Sequence, residues 1–145
     1  MSQQNVEVVR RGIAAYNRRD FDALRALNHP EIEVDYSASR GVEAGIYRGQ
    51  EEVFRLYQQF FDLFERISLE PDRFIDAGDS VVVPNSAYMR GRHGVDTVAR
   101  STLVFELRGG RVARICLYQE TDEALEAVGL SETDHRKGEN PEPLA

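Results

Sequence analysis

The sequence is poor in the residues that form covalent cross-links and metal sites. It has one cysteine, Cys116, no tryptophan and three histidines in 145 residues. A single cysteine excludes an internal disulfide framework. The histidines stand far apart, at His29, His93 and His135, so the ligand spacing of a thiolate or imidazole metal site is missing. Neither a glycine-rich phosphate loop nor a nucleophile elbow is present. We therefore expect a protein without a metal or any other cofactor.

Positive charge and long apolar runs are also scarce. Lys and Arg number 18 against 25 Asp and Glu, which gives a net charge of −7, so we expect neither nucleic acid nor an anionic membrane as a main partner. No run approaches the roughly 18 apolar residues of a membrane span. The opening MSQQNVEVVRR lacks the apolar core of a signal peptide. These absences predict a cytoplasmic protein, and the length fits one domain.

The first half of the chain has the periodicity of helices. Over residues 3–18 the apolar side chains recur at helical spacing, with Tyr16 near the end of the stripe. Asp20 stands at the N-cap position of a short helix over 21–28. After Gly49 a third helix is predicted over 50–65. Its apolar stripe consists of Val53, Tyr57, Phe60 and Phe64, widened by Leu56 and Phe61.

Strand periodicity appears between the second and third helices. Residues 31–36 alternate strictly, with Ile32, Val34 and Tyr36 on one face and acidic residues on the other. The glycine-containing stretch 37–49 predicts a loop that covers part of the molecule.

From residue 66 the apolar period changes to two. Strands are predicted over 66–76, 80–92, 96–108 and 111–120, separated by glycine-containing turns that suit tight hairpins. Consecutive hairpins predict an antiparallel meander and hence the α+β class. Pro84 lacks an N–H, so it predicts a bulge or an edge position in its strand. A last helix ends at Gly129, and the polar tail 131–145 is predicted to be disordered.

Three motifs carry a family resemblance. The end of the first helix, YNRRDFDAL, the helix start YRGQEEVFRLY and the ending GGRVARICLYQETDEALEAVGL resemble the nuclear transport factor 2-like superfamily, in its SnoaL-like branch. The resemblance implies one domain over residues 1–130. It also implies a cone-shaped α+β barrel, in which three N-terminal helices pack on a strongly bent, mainly antiparallel sheet around a blind apolar cavity. Relatives include ketosteroid isomerases, polyketide cyclases, dehydratases, epoxide hydrolases and binding modules, so fold alone does not fix the function.

The resemblance also implies positions for isomerase chemistry, and this sequence departs from them. The catalytic base would stand at the end of the first strand, where alternation directs Tyr36 inward and Asp35 outward; a slip of one residue would reverse them. The acid of a central strand would fall at Ser101 or Thr102, and neither side chain can serve as one. Tyr16 lies on the right helix, either as a catalytic hydroxyl at the cavity mouth or as a core aromatic.

A cyclase-like site would use Glu120, at the end of the last strand. Buried, Glu120 would act as a general acid–base group; exposed, it would only open the turn into the last helix. We therefore name Glu120 and Tyr16 as candidate catalytic residues. The predicted ligand-binding residues share inward positions on the third helix and the strands: Tyr36, Tyr57, Phe60, Phe61, Asn85, Met89 and Gln119.

These residues predict an apolar, tyrosine-lined cavity for a small hydrophobic or aromatic molecule. Two functions are consistent with it: a cofactor-independent isomerase, cyclase or lyase, and a non-catalytic module for small-molecule binding or dimerisation. A protein-docking module of the transport-factor type is a third alternative, without a supporting motif. We also expect a homodimer, because helices on only one side of the sheet would leave its convex face to be covered by a second copy.

Overall fold

A computed structural model describes residues 2–41 and 43–131 of the chain. The elements follow in the order α1 (Ser2–Asn17), α2 (Phe21–Leu27), β1 (Asn28–Asp35), β2 (Ile46–Arg48), α3 (Gln50–Leu63), β3 (Phe64–Pro71), β4 (Ile75–Ala77), β5 (Ser80–Gly91), β6 (Asp96–Arg108), β7 (Arg111–Tyr118) and α4 (Thr121–Ala127). The predicted helices are present, and the Asp20 side chain caps α2 by accepting from the Ala23 N–H. Apart from Ser131, the tail predicted to be disordered lies outside the described residues. No helix within the described ranges is long and apolar enough to cross a membrane.

The strands form one mixed sheet. Their order is β2-β1-β7-β6-β5-β3, and β4 pairs with β5 beyond the end of β3. All pairings are antiparallel except that of β1 with β7, which is parallel. The predicted hairpin turns are present, with positive φ at Gly78, Gly94 and Gly109. Helices packed on an open, mostly antiparallel sheet confirm the predicted α+β class.

Pro84 causes a bulge, but in the neighbouring strand. The predicted strand 66–76 is two strands, β3 and β4, which both pair with β5. Pairing stops at Pro71 and resumes at Ile75, so three residues lie opposite Val83 and Pro84. Because Pro84 has no N–H to offer on this side, the partner strand bends away there. The alternative edge position is wrong, since β5 lies between β6 and β3.

The predicted loop 37–49 contains a short strand at its end. Strand β2 returns along β1, with Asp35 opposite Ile46 and Glu33 opposite Arg48. A strand of three residues is too short for period-two alternation to reveal it. Its pairing brings the segment between Asp35 and Ile46 back over the end of β1.

Helices α1 and α3 cover one face of the sheet, which we call the inner face. This face carries Val34, Val83, Leu103 and Ile115 of four different strands, all buried in the main hydrophobic core. Four positions of α3 face this core: Val53, Leu56, Tyr57 and Phe61. Phe60 is only partly buried, and Phe64 already belongs to β3, because α3 ends at Leu63.

The opposite, outer face of the sheet is not bare, which corrects our expectation of helices on one side only. Helix α4 lies on it, and Leu125 packs with Ile75, Val82 and Val104 in a second buried cluster. The remaining part of the outer face is solvent-exposed around Tyr88 and Val98.

The end of α1 is fixed to the outermost strand by one side chain. Asn17 Nδ2 donates to the Leu69 carbonyl at 2.9 Å, and Asn17 Oδ1 accepts from the Leu69 N–H at 2.8 Å. Leu69 stands opposite Ala87 of β5, but its N–H and its carbonyl point away from β5 and bond to the Asn17 side chain instead. The contact holds the neighbouring Tyr16 against the sheet.

An arginine joins three strands on the outer face. Arg114 of β7 pairs with Glu33 and Asp35 of β1, each at 3.2 Å, and with Glu106 of β6 at 2.9 Å. Glu33 also pairs with Arg48 of β2 at 3.1 Å. This cluster spans the parallel β1–β7 pairing.

Candidate ligand-binding site

A cavity of about 510 Å³ lies between the inner face of the sheet and the ends of α1 and α3. Its wall is mostly apolar and aromatic, with Phe60, Phe64, Leu69, Met89, Leu103 and Leu117 among the lining residues. Residues of the loop after β1 also line it, at Ser39, Arg40 and Glu43. A volume of this size suits a small organic molecule.

Three tyrosines meet beside this cavity. The rings of Tyr16 and Tyr57 contact edge to face, with centroids 5.0 Å apart and planes at 88°. Tyr16 and Tyr36 line the main cavity, whereas Tyr57 lines a recess of about 30 Å³ behind them. Phe61 contacts the Tyr16 ring at 5.0 Å and supports it from the core without lining the cavity. Tyr57 and Phe61, both named as ligand-binding, are therefore packed behind the wall.

The tyrosine hydroxyls stay protonated. Burial raises the pKa of Tyr36 to about 12. Burial also raises the pKa of Tyr16 and of Tyr57, and the neighbouring tyrosines add to the rise. None of the three hydroxyls forms a hydrogen bond with another residue in the ranges that the structure describes. At neutral pH the three hydroxyls are therefore not bases, and those of Tyr16 and Tyr36, which line the main cavity, are donors available to a bound molecule.

Strand β5 supplies the floor of the cavity. Asn85, Ala87 and Met89 line it, and Asn85 is buried. Ala87 stands opposite Ala99 of β6, and this pair of small side chains leaves open space above the sheet. Ser101 of β6 also lines the cavity, while Thr102 points to the outer face and shares a hydrogen bond of 2.7 Å with Thr121.

Carboxylates are nearly absent from the cavity wall. Asp35 points to the outer face, where its Oδ2 meets Arg114 at 3.2 Å, so the slip that would have turned it inward does not occur. A hydrogen bond from Ser37, helped by Arg114, lowers the pKa of Asp35. Glu43 is the one carboxylic side chain among the described residues that line the cavity. The position of a family base is thus occupied by Tyr36.

Glu120 lies outside the cavity. Its side chain is exposed just before α4, and it borders a neighbouring open cleft with Arg100 and Thr121. Of the two alternatives for Glu120, the structure has the exposed residue at the turn into the last helix, because the chain leaves the inner face after Gln119. Its neighbour Gln119 does line the cavity, but its Nε2 already donates to the Ala38 carbonyl at 2.8 Å. Gln119 thereby attaches the loop after β1 to the end of β7.

Several lining residues were missed by the sequence reasoning. The loop residues Ser39, Arg40 and Glu43 have no periodicity that would place them, and only the return of β2 along β1 brings them over the cavity. Ala99 carried a signal that we did not use, since alternation from Ser101 places it on the inner face. In the described ranges no three His, Cys, Asp or Glu side chains come together as a metal site would require.

The open sheet, the helices on its inner face and the cavity between them are those of the nuclear transport factor 2-like class. A family model described as the SnoaL-like domain matches residues 9–115. Because this match spans most of the chain, the protein belongs to the SnoaL-like domain family, as its motifs predicted. No curated protein sequence matches the chain significantly.

Solved structures share the fold. Bal32a, from a soil-derived mobile gene cassette, is 24% identical with a TM-score of 0.74, over 81% of this chain and 89% of that one. TerC, crystallised with polyporic acid, is 20% identical with a TM-score of 0.71, over 86% and 98%. A putative SnoaL-like polyketide cyclase from Jannaschia sp. CCS1 is 19% identical with a TM-score of 0.69, over 88% and 92%. At these identities the similarity shows the fold alone.

Proposed function

We propose that the protein binds a small, neutral, mostly apolar molecule in the cavity under α1 and α3. The observation that carries this proposal is the combination of an apolar wall with tyrosine hydroxyls that form no hydrogen bond to any residue that the structure describes. An apolar wall favours a hydrophobic skeleton. Unpartnered donors in such a wall favour an oxygen atom on that skeleton. TerC, with its bound polyporic acid, is consistent with a small-molecule occupant.

The charge distribution favours a neutral ligand. Arg40 and Arg100 line the cavity with exposed side chains, and Arg100 pairs with Asp72 at 3.4 Å. The tyrosines and Asn85 around the buried wall are uncharged. A ligand with a charge buried among them would lose its hydration without gaining an opposite charge there.

Catalysis is a second candidate, and the free hydroxyl of Tyr16 favours it. A neutral tyrosine that donates to a ketone oxygen polarises the carbonyl and acidifies the adjacent C–H. Glu43 would then be the group to accept that proton. This arrangement corresponds to a cofactor-independent isomerase, cyclase or lyase, without a role for Glu120.

Binding is tested by calorimetric titration with 2-naphthol at neutral pH. Ala87→Leu places a larger side chain in the cavity and should weaken binding about tenfold or more. Tyr88→Leu, on the outer face of the same strand, is the matched control and should leave the affinity unchanged. Equal affinities for both variants, or no binding up to the solubility limit, would contradict the proposal.

Turnover is tested separately by proton exchange. In D₂O, an enzyme of this kind should exchange the hydrogens beside the carbonyl of 2-tetralone faster than buffer does, as followed by NMR. Tyr16→Phe and Glu43→Gln should each slow that exchange, whereas Glu7→Gln, far from the cavity wall, should not. Exchange at the buffer rate would leave binding as the function.

We also propose that two copies associate through the exposed part of the outer face. Tyr88 and Val98 stand opposite each other there, 44% and 52% exposed. Apolar side chains on an uncovered sheet face favour burial against a partner. The cytoplasmic location expected from the sequence stays a prediction.

A further inference from the structure

The cavity reaches around the edge of strand β6. Residues 98–101 are consecutive on this strand, and all four line the cavity. Because successive residues of a strand point to opposite faces, a space lined by four in a row must pass the strand's edge. The edge is open there, since β7 ends at Tyr118, opposite Thr102. In the described part of the chain, residues 96–101 of β6 therefore have no neighbouring strand on that side.

A polar cleft of about 470 Å³ continues from the cavity at this edge. Five residues line both spaces: Arg40, Asn85, Arg100, Ser101 and Gln119. Among the described residues that line the cleft, only Pro84 lacks a polar side chain, whereas the wall of the cavity is mostly apolar and aromatic. One molecule can therefore occupy both spaces, with its apolar part in the cavity and its polar part in the cleft.

The junction of the two spaces presents a hydrogen-bond donor. Asn85 is 3% exposed, and its Oδ1 is buried without a hydrogen bond to any residue that the structure describes. The accessible atom of this amide is Nδ2, which likewise donates to no described residue. Ser101 stands opposite Asn85 and lines the junction as well. An unbonded donor at this point favours a ligand with an accepting oxygen where it leaves the cavity.

The charges of the cleft favour a neutral polar group. Side chains of both signs border it: Arg40, Arg73, Arg100, Asp72 and Glu120. Arg100 already pairs with Asp72 at 3.4 Å. Guanidinium groups only donate and carboxylates only accept, so a hydroxyl, which does both, finds partners of either kind. A carboxylate or an ammonium group would meet charges of its own sign in the same cleft.

We propose that the ligand is a neutral amphiphile, with an apolar ring system in the cavity and a hydroxylated substituent of the size of a sugar in the cleft. This inference rests on the proposed binding function and adds to it the class of the substituent. It requires that the substituent leave the cavity at the open edge of β6, beside Asn85 and Ser101.

The test compares 2-methoxynaphthalene with 2-naphthyl β-D-glucopyranoside, which share the ring system and the ether oxygen and differ in the sugar. A third probe, 2-naphthoxyacetate, carries a carboxylate in place of the sugar. Calorimetry gives the ratio of the glucoside and methoxy affinities for the wild type, for Glu120→Ala and for Glu123→Ala. Glu120 lines the cleft but not the cavity, and Glu123, exposed on α4, lines neither and is the matched control. Ser101→Leu is a second variant, which narrows the junction.

In the wild type the glucoside should bind about 5- to 150-fold more tightly than 2-methoxynaphthalene, which corresponds to two neutral hydrogen bonds. Glu120→Ala should lower this ratio about 2- to 12-fold, the loss of one such bond, and Glu123→Ala should keep it. Ser101→Leu should also lower the ratio, because the sugar must pass the junction. Naphthoxyacetate should bind the wild type more weakly than the glucoside does.

A wild-type ratio of one or less, or equal ratios in Glu120→Ala and Glu123→Ala, would overturn the inference and leave binding in the cavity intact. An unchanged ratio in Ser101→Leu would overturn the path through the junction. Tighter binding of naphthoxyacetate than of the glucoside would also overturn the inference, because the cleft would then select an anion. If no probe binds, the binding function itself fails, and the inference with it.

Discussion

Replacing Arg114 by methionine should destabilise the fold much more than replacing Arg48, although both arginines pair with Glu33. Arg48 has one ion pair and a side chain that is 69% exposed. Arg114 has three ion pairs, a side chain that is 32% exposed, and a partner, Asp35, that is only 15% exposed. Without Arg114, three carboxylates from β1 and β6 would face one another with little solvent between them.

The magnitude follows from these exposures. Exposed ion pairs contribute at most about 1 kcal/mol, whereas removing one partner of a buried pair costs about 3–5 kcal/mol. The Arg114 cluster lies between these limits, so we expect a loss of about 1–3 kcal/mol in the free energy of unfolding. For a domain of this size that lowers Tm by about 4–12 °C. Arg48→Met should lower it by no more than about 4 °C.

The assay is thermal unfolding followed by circular dichroism at two pH values. Ser37 and Arg114 hold the pKa of Asp35 below its usual range, so its stabilising contribution is present above pH 4 or so and is lost as pH falls through the folded pKa. The difference between wild type and Arg114→Met should therefore be large at about pH 7 and smaller at about pH 3, below the usual pKa of an aspartate. A difference that is the same at both pH values, or no larger than that of Arg48→Met, would refute this reasoning.

Three further outcomes are expected. Tyr16→Phe should weaken 2-naphthol binding about 2- to 12-fold, which corresponds to the loss of one neutral hydrogen bond. Tyr57→Phe should weaken it less, because Tyr57 lies behind the cavity wall. If calorimetry ranks the two variants the other way, the placement of Tyr57 in the recess is contradicted. Gln119→Ala removes the bond to Ala38 and should speed amide exchange in the loop after β1, with unchanged exchange as the opposing result. Val98→Asp should convert a homodimer into a monomer in sedimentation at micromolar concentration, and a wild-type monomer would refute the dimer.

Local features of the fold could be predicted because they follow from neighbouring residues. The Asp20 cap and the glycine turns are decided by side-chain reach and backbone freedom over three or four residues. The alternation of apolar and acidic residues along β1 likewise predicted that Val34 would lie in the core and that Asp35 would point away from it, as both do. Each of these needs no knowledge of distant parts of the chain.

Features that depend on distant pairing could not be predicted. The parallel contact of β1 with β7 joins Val34 to Ile115, and nothing near either residue indicates it. The position of Glu120 depends on how α4 crosses the outer face, which is decided by its packing on Val82 and Val104. The unbonded oxygen of Asn85 is visible only when every neighbour is placed, since a polar residue in a strand has many partners open to it in the sequence alone.

The bond between Asn17 and Leu69 has a consequence for solubility. Strand β3 ends the sheet, and an end strand presents peptide groups that can recruit a strand from another molecule and start aggregation. The Asn17 amide occupies the outward-pointing N–H and carbonyl of Leu69 as a neighbouring strand would. One side chain of α1 thus blocks the middle of this edge, and its loss would expose a template for edge-to-edge association even while the rest of the fold remained intact.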